Sequence, residues 1–282
     1  MADSGRGQNG VRCCFGQAKS ARYLHATQLP LSPDDSYKPN GGLFFADFPL
    51  LTYIEFAYKL WLTHEQRQSI LARLPKWVAT DSFTIYARQA GNPTKDQMRL
   101  MMQSLLADRF RLAVHFETQQ VSAFALTLAK PGKIGPSLRR HAEGPSCDAP
   151  VPTSTRGPSA SRPEVFPLEC GVYGLSGGPD HTILAGSRNT TLELIAASLT
   201  SLPGGLDRPV VDRTGLTGKY DFTIEWTPES NGPAASAGEV RPDIQGTTFL
   251  EAVKEQLGLK LESTKAPLKV LVIDHVERRS EN

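Results

Sequence analysis

Long apolar runs are missing from this chain of 282 residues. No stretch approaches the roughly 18 consecutive apolar residues that a membrane helix needs, so no transmembrane segment is expected. Residues 1–22 carry basic character through Arg6, Arg12, Lys19 and Arg22, but no apolar h-region follows, and no secretory signal is readable. That leader is polar and patternless, and disorder is expected there. Charge of one sign is also lacking. The formal net charge is +2 with no basic stripe, which argues against nucleic acid as a partner. Cysteine is scarce, four residues with no CxxC spacing. Cys13 and Cys14 adjoin in the leader, whereas Cys147 and Cys170 bracket the middle of the chain. The second pair can close a loop as a disulfide in an oxidising compartment and stays as two free thiols otherwise. With no CxxC and no histidine close beside either cysteine, neither zinc nor another cofactor is expected.

What is present is a hydrophobic share of 39%, enough for real cores, and an internal likeness. Residues 43–130 and 182–277 can be laid over each other. At a shift of 139, Thr52, Ala57 and Leu60 meet Thr191, Ala196 and Leu199, and Phe83-Thr84-Ile85 meets Phe222-Thr223-Ile224. Past an eight-residue insertion Phe110, Leu112 and Val114 meet Leu257, Leu259 and Leu261. Most matched positions are apolar, so a core repeats rather than a site. Between the copies, residues 131–181 are rich in Pro and Gly and read as a linker. Residues 228–246 read as a surface loop.

Each copy parses as β-α-β-β-α-β-β. A short strand (43–46; 183–185) leads into an amphipathic helix. Leu50, Ile54, Ala57 and Trp61 face the core in the first copy, and Leu192, Ile195, Ala196 and Leu199 in the second. Thr190 and Glu193 have capping-box spacing, as do Thr94 with Gln97 and Thr248 with Glu251. Tyr220, Phe222, Ile224 and Trp226 alternate with Asp221, Thr223 and Glu225, which predicts a strand with one solvated face. Met98, Met101 and Met102 fall at helical spacing and read as core filler. Gly258 suits the left-handed position that ends a helix. Two strands close each unit, 111–117 with 121–128 and 259–263 with 268–276. The run 270–273 is continuously apolar, as in a strand covered on both faces. The expected fold is α+β: two tandem units, 23–130 and 182–282, with helices on one face of small mixed sheets.

The segments LPKWVATDSFTIYA (74–87), QMRLMMQSLLADRFRLAVHFET (97–118), RPVVDRTGLTGKYDFTIEWTPE (208–229) and QLGLKLESTKAPLKVLVIDHVERRSEN (256–282) resemble a large uncharacterised family expanded in soil bacteria. The resemblance covers about Tyr23 to the C-terminus. It implies export, and a relation to domains attached to membrane-bound sensor metalloproteases, but brings no activity and no catalytic residues. A looser likeness of shape, through FLEAVKEQLGLKLE, is to the small N-terminal domains of secretins and TonB-dependent receptors, which are protein-contact modules.

Candidate chemistry is thin. Gly174-Leu175-Ser176-Gly177-Gly178 matches the GxSxG pattern of a nucleophile elbow, but it ends a Pro-rich segment and precedes Pro179 rather than a helix. His115 and Glu117 share one strand face with Arg111; an exposed ion-paired face is the commoner outcome of such a row. Asp274 and His275 point to opposite faces, and His64 and Glu65 lie at a loop or helix start. Asp212 and Asp221 flank a Gly-containing turn whose ordinary role is structural. Asn189-Thr190-Thr191 has a glycosylation pattern, with Thr190 read as a helix cap. The expected function is therefore a non-enzymatic binding module of the cell envelope, its partner another envelope protein or a small ligand. The alternatives are a hydrolase joining Ser176, His115 and Glu117 between the repeats, and a regulatory or sensor domain.

Overall fold

A computed structural model of the chain describes residues 12–16, 31, 41–147, 165–178, 181–202, 206–228 and 247–278. Most of the expected leader, the middle of the Pro-rich segment and the stretch 229–246 lie outside the described residues. The protein is α+β. In chain order the elements are β1 (Arg12–Gly16), β2 (Leu43–Pro49), α1 (Leu50–Ala57), α2 (His64–Leu71), α3 (Trp77–Thr80), β3 (Ser82–Arg88), α4 (Lys95–Phe110), β4 (Ala113–Leu128), β5 (Leu138–Arg140), β6 (Tyr173–Gly177), β7 (Ile183–Thr190), α5 (Leu192–Ser198), β8 (Val210–Asp212), β9 (Tyr220–Trp226), α6 (Phe249–Leu257) and β10 (Leu259–His275). Among the described residues no helix is long and apolar enough to cross a membrane.

The chain divides into two compact units, but not at the expected boundaries. Unit 1 comprises Met1–Gln119 with Leu268–Asn282, and unit 2 comprises Gln120–Pro267. The reason lies in the expected closing strands. The segments 111–117 and 121–128 merge into the single strand β4, and 259–263 and 268–276 merge into β10. The chain thus passes from one unit to the other inside β4 and returns inside β10. No Gly or Pro interrupts β4, and Pro267 in β10 is the only such residue in either strand.

In unit 1, β3 lies between β1 and β2, antiparallel to both. The leader is therefore not wholly patternless: residues 12–16 pair through their backbone, which needs no apolar periodicity. The core gathers Leu50, Ile54 and Phe56 from α1, Phe83 and Ile85 from β3, Met98, Met102, Leu106 and Phe110 from α4, and Leu271. Phe83 and Phe110 meet edge to face with centroids 4.9 Å apart. Tyr53 donates from its hydroxyl to the Phe83 carbonyl at 2.6 Å, so this buried phenol is satisfied. Helix α1 stops at Ala57, short of Trp61, because Lys59 takes a positive φ of 54°. Leu271 alone of 270–273 is fully buried.

In unit 2 four strands run in the order β5-β9-β7-β6, each neighbour antiparallel. Strands β5 and β6 come from the segment read as an irregular linker; Leu138 and Tyr173 pack on the core and overcome the local Pro and Gly content. Val210–Asp212 pair parallel with Phe124–Leu126 of β4. Ile195, Ala196, Leu199, Phe222, Trp226, Val253 and Leu257 fill the centre. Two antiparallel strand pairs match in register: Ala46 pairs with Ile85 in unit 1, and Ala185 with Ile224 in unit 2, both displaced by 139. Helix α5 is capped by Thr191, which accepts from the Leu194 N–H; Thr190 is instead the last residue of β7, paired with Tyr220.

Candidate functional site

The expected candidates fall into separate places. His115 and Glu117 belong to unit 1, on the exposed face of β4. The imidazole Nδ1 lies 2.8 Å from Asp274 Oδ2 and Nε2 lies 3.1 Å from Glu117 Oε1. Asp274 is a partner that the sequence reading left unpaired. The hydrogen bond to Asp274, then that to Glu117, raises the His115 pKa, while Gln119 and then His115 lower that of Glu117. Both ring nitrogens face carboxylates, so neither is free to accept a proton from a nucleophile. The carboxylates flank opposite sides of the ring and do not converge on one nitrogen, as a metal would require. The chemistry is that of an exposed ion-paired row.

Ser176 belongs to unit 2 and lies within strand β6, opposite Leu184. Its hydroxyl donates to the Gly177 carbonyl at 3.3 Å. A nucleophile elbow needs a sharp turn from strand into helix; the GxSxG pattern here runs along an edge strand and returns into β7.

A third cluster surrounds the cysteine pair for which the sequence left a disulfide and two free thiols open; its other members were not anticipated. Cys147 and Cys170 are joined as a disulfide, with Cα atoms 5.6 Å apart. Six residues before Cys147, His141 opens a short 3-10 turn (His141–Glu143) after β5. Its Nε2 lies 3.3 Å from Cys147 Sγ, and its Nδ1 lies 2.7 Å from Asp221 Oδ1. An ionised carboxylate only accepts, so Nδ1 donates to Asp221; the disulfide sulfur carries no hydrogen, and Nε2 can accept from Cys147 only when that residue is a thiol. Asp221 is the outward residue of β9 that alternation assigned to a solvated face, yet it is only 4% exposed. The turn carrying His141 and Gly144 covers it.

Asp221 is held from several sides. Its Oδ1 also accepts from the Asn189 backbone N–H at 2.9 Å. Its Oδ2 makes no hydrogen bond within the described residues and faces Arg139 Nε at 3.6 Å. A Cβ at Gly144 would stand 2.5 Å from that oxygen and 2.9 Å from Arg139 Nε, so a side chain there would displace one or both groups. Asn189, in the left-handed region at φ 57°, places its side-chain amide 3.7 Å from Cys147 Sγ. Arg188 ties the two cysteine loops together. Its guanidinium donates to the carbonyls of Pro145 at 2.6 Å, Ser146 at 3.2 Å and Leu168 at 3.0 Å, and its own carbonyl accepts from the Gly171 N–H at 2.7 Å.

His141 Nε2 and both sulfurs lie within 4.8 Å of one another, contrary to the expectation that no histidine stands near these cysteines. While the sulfurs are bonded to each other, neither is the thiolate that zinc needs. The spacing of six between His141 and Cys147 was the one available signal. Asp221 lies 80 residues beyond His141, and nothing local joins them.

A protein-family profile described as "Protein of unknown function (DUF3738)" matches residues 51–276, well over half of the chain, and the chain belongs to that family. No curated protein and no solved structure matches it.

Proposed function

We propose that this member of the family is a non-enzymatic binding module of the cell envelope, which takes an extended segment of another envelope protein along strand β6. The observation that carries the reading is the composition of that edge. Among the described residues strand β6 ends the sheet β5-β9-β7-β6, and its five residues, YGLSG, include neither charge nor proline. Sheet edges that must stay unpaired are usually guarded by Lys, Pro or bulges; an unguarded edge suits strand addition, in which backbone hydrogen bonds supply affinity. Leu175 of this strand and Leu168 before it in the chain are exposed and offer apolar anchors. The Cys147–Cys170 disulfide supports an oxidising compartment. A regulatory or sensor role would use the same contact. The hydrolase reading lacks support, because the Ser176 hydroxyl turns to a neighbouring carbonyl and His115 is committed to two carboxylates.

Peptides selected from a random displayed library against the full chain test the reading. Binders should protect the amides of residues 173–177 from hydrogen exchange and lose affinity about tenfold or more on Leu175→Lys, which places a guarding charge at an exposed position. Binders indifferent to that change, with no protection over β6, would remove the edge as the docking site. Fluorophosphonate labelling abolished by Ser176→Ala would promote the hydrolase instead.

A further inference from the structure

We propose that Cys147, Cys170, His141 and Asp221 form a thiol–disulfide exchange site, in which Cys147 is the activated sulfur, His141 its proton acceptor and Asp221 a positioning residue. The substrates would be dithiols, either small molecules or cysteine pairs of proteins. This rests on the disulfide cluster and not on strand β6, so either can fail alone.

Three features of the geometry support it. The first is the ordered relay from carboxylate to imidazole to sulfur. Asp221 fixes the tautomer through Nδ1 at 2.7 Å, which leaves Nε2 as an acceptor 3.3 Å from Cys147 Sγ. Buried as it is, Asp221 stabilises an imidazolium more strongly than an exposed carboxylate would. The second is access: Cys147 is exposed and Cys170 partly so, and a purely structural bridge would be safer covered. The third is Arg188. Its bonds to the Pro145, Ser146 and Leu168 carbonyls, with the Gly171 N–H returned to its own carbonyl, hold both cysteine loops independently of the S–S bond. The loops therefore have a reason to stay in place when that bond opens, as reversible exchange requires.

The chemistry balances as follows. One thiolate of the dithiol attacks Cys170 Sγ and forms a mixed disulfide. The Cys147–Cys170 bond breaks, and its electron pair goes to Cys147 Sγ. The proton released from the attacking thiol is held on His141 Nε2, giving a thiolate–imidazolium pair beside Asp221. The Asn189 side-chain amide, 3.7 Å from the sulfur, adds a weak donor. The second thiol of the dithiol then attacks the mixed disulfide and releases Cys170 as a thiol. Two electrons pass to the protein, and the dithiol leaves as a disulfide. The reverse sequence reduces a disulfide substrate and restores the Cys147–Cys170 bond.

The test uses the full chain, reduced and then freed of reductant with a chelator present, so that no metal caps the thiols. Iodoacetamide modification at about pH 6 is followed by peptide-resolved mass spectrometry, which separates the four cysteines. Thiolates paired with imidazolium remain reactive there, whereas ordinary thiols do not. Cys147 should react at least about tenfold faster than Cys170. His141→Asn, whose amide can still donate to Asp221, should abolish that advantage and slow reduction of the oxidised protein by dithiothreitol about tenfold. Equal rates at Cys147 and Cys170 in the unaltered chain would overturn the proposal, and this arm stands even if the variant fails to fold. A folded His141→Asn protein with unchanged rates would overturn it equally.

Discussion

At Glu55 burial and pairing pull in opposite directions. The carboxylate is buried in α1 and bonded to Arg67 at 2.8 Å, but its Oε1 has no hydrogen bond within the described residues. Burial dominates and lifts its pKa from 4.5 to about 7, the Arg67 charge offsetting only part. A carboxyl that holds its proton more tightly when folded adds stability that is complete below the unfolded pKa and lost as pH rises through the folded one. Stability to urea should therefore fall between about pH 4.5 and pH 7, by roughly 3 kcal/mol at most from this group. Glu55→Gln should flatten that slope. The His115 pKa is raised too, by Asp274 and then Glu117, so it gives a loss of the same sign as pH rises through its own titration. Running His115→Gln in parallel separates the two. A slope unaltered in the Glu55→Gln protein would show that its Oε1 is solvated after all.

The disulfide gives a second prediction at this scale. Cys147 and Cys170 close a loop with a sequence separation of 23, and closing such a loop restricts the unfolded chain by an amount worth about 3 kcal/mol. Replacing both by serine should lower unfolding stability by about that much. A thiol count under denaturing conditions should rise by two on reduction. No rise would mean that the cysteines are free in the isolated protein.

At the scale of elements, the capping boxes are the clearest case of local sequence deciding local structure. Thr94 accepts from the Gln97 N–H and Gln97 returns the bond to the Thr94 N–H; Thr248 and Glu251 do the same. Thr94→Ala and Thr248→Ala should each cost about 1 kcal/mol, measured by urea unfolding. Thr190 shows the limit of that logic. It shares the spacing of a box with Glu193, but sheet pairing with Tyr220 claims its backbone, and the cap moves on to Thr191. Asp221 shows a different limit. Alternation along β9 correctly puts Tyr220, Phe222, Ile224 and Trp226 in the core, all at most 1% exposed. It says nothing of what covers the other face, and that cover is the turn from His141 to Gly144, whose His141 is 80 residues away in sequence. The cysteine pair was legible as a possible bridge, but the approach of His141 and Asp221 to it was not.

At the scale of the whole molecule, the apolar likeness at a shift of 139 extends to strand register, since Ala46 pairs with Ile85 and Ala185 with Ile224. The division of the chain did not follow from it. Periodicity marks each half of β4 and β10 as a strand but carries no signal of whether a strand turns back or runs on. Unit 2 is one contiguous segment, 120–267, whereas unit 1 needs both ends of the chain. A fragment of residues 182–282, cut at the boundary the likeness suggests, loses Leu126 of β4 and Leu138 of β5, both buried in the unit 2 core. It also loses His141 and one strand at each edge of the four-stranded sheet, and it retains Leu271, which belongs to the unit 1 core. A fragment of 120–267 keeps that second core whole, with the disulfide and Asp221. The expected outcome is that 120–267 unfolds cooperatively in urea and shows dispersed amide resonances, while 182–282 shows neither. Cooperative unfolding of 182–282 alone would mean that the tandem division, not the one through β4 and β10, is the folding unit.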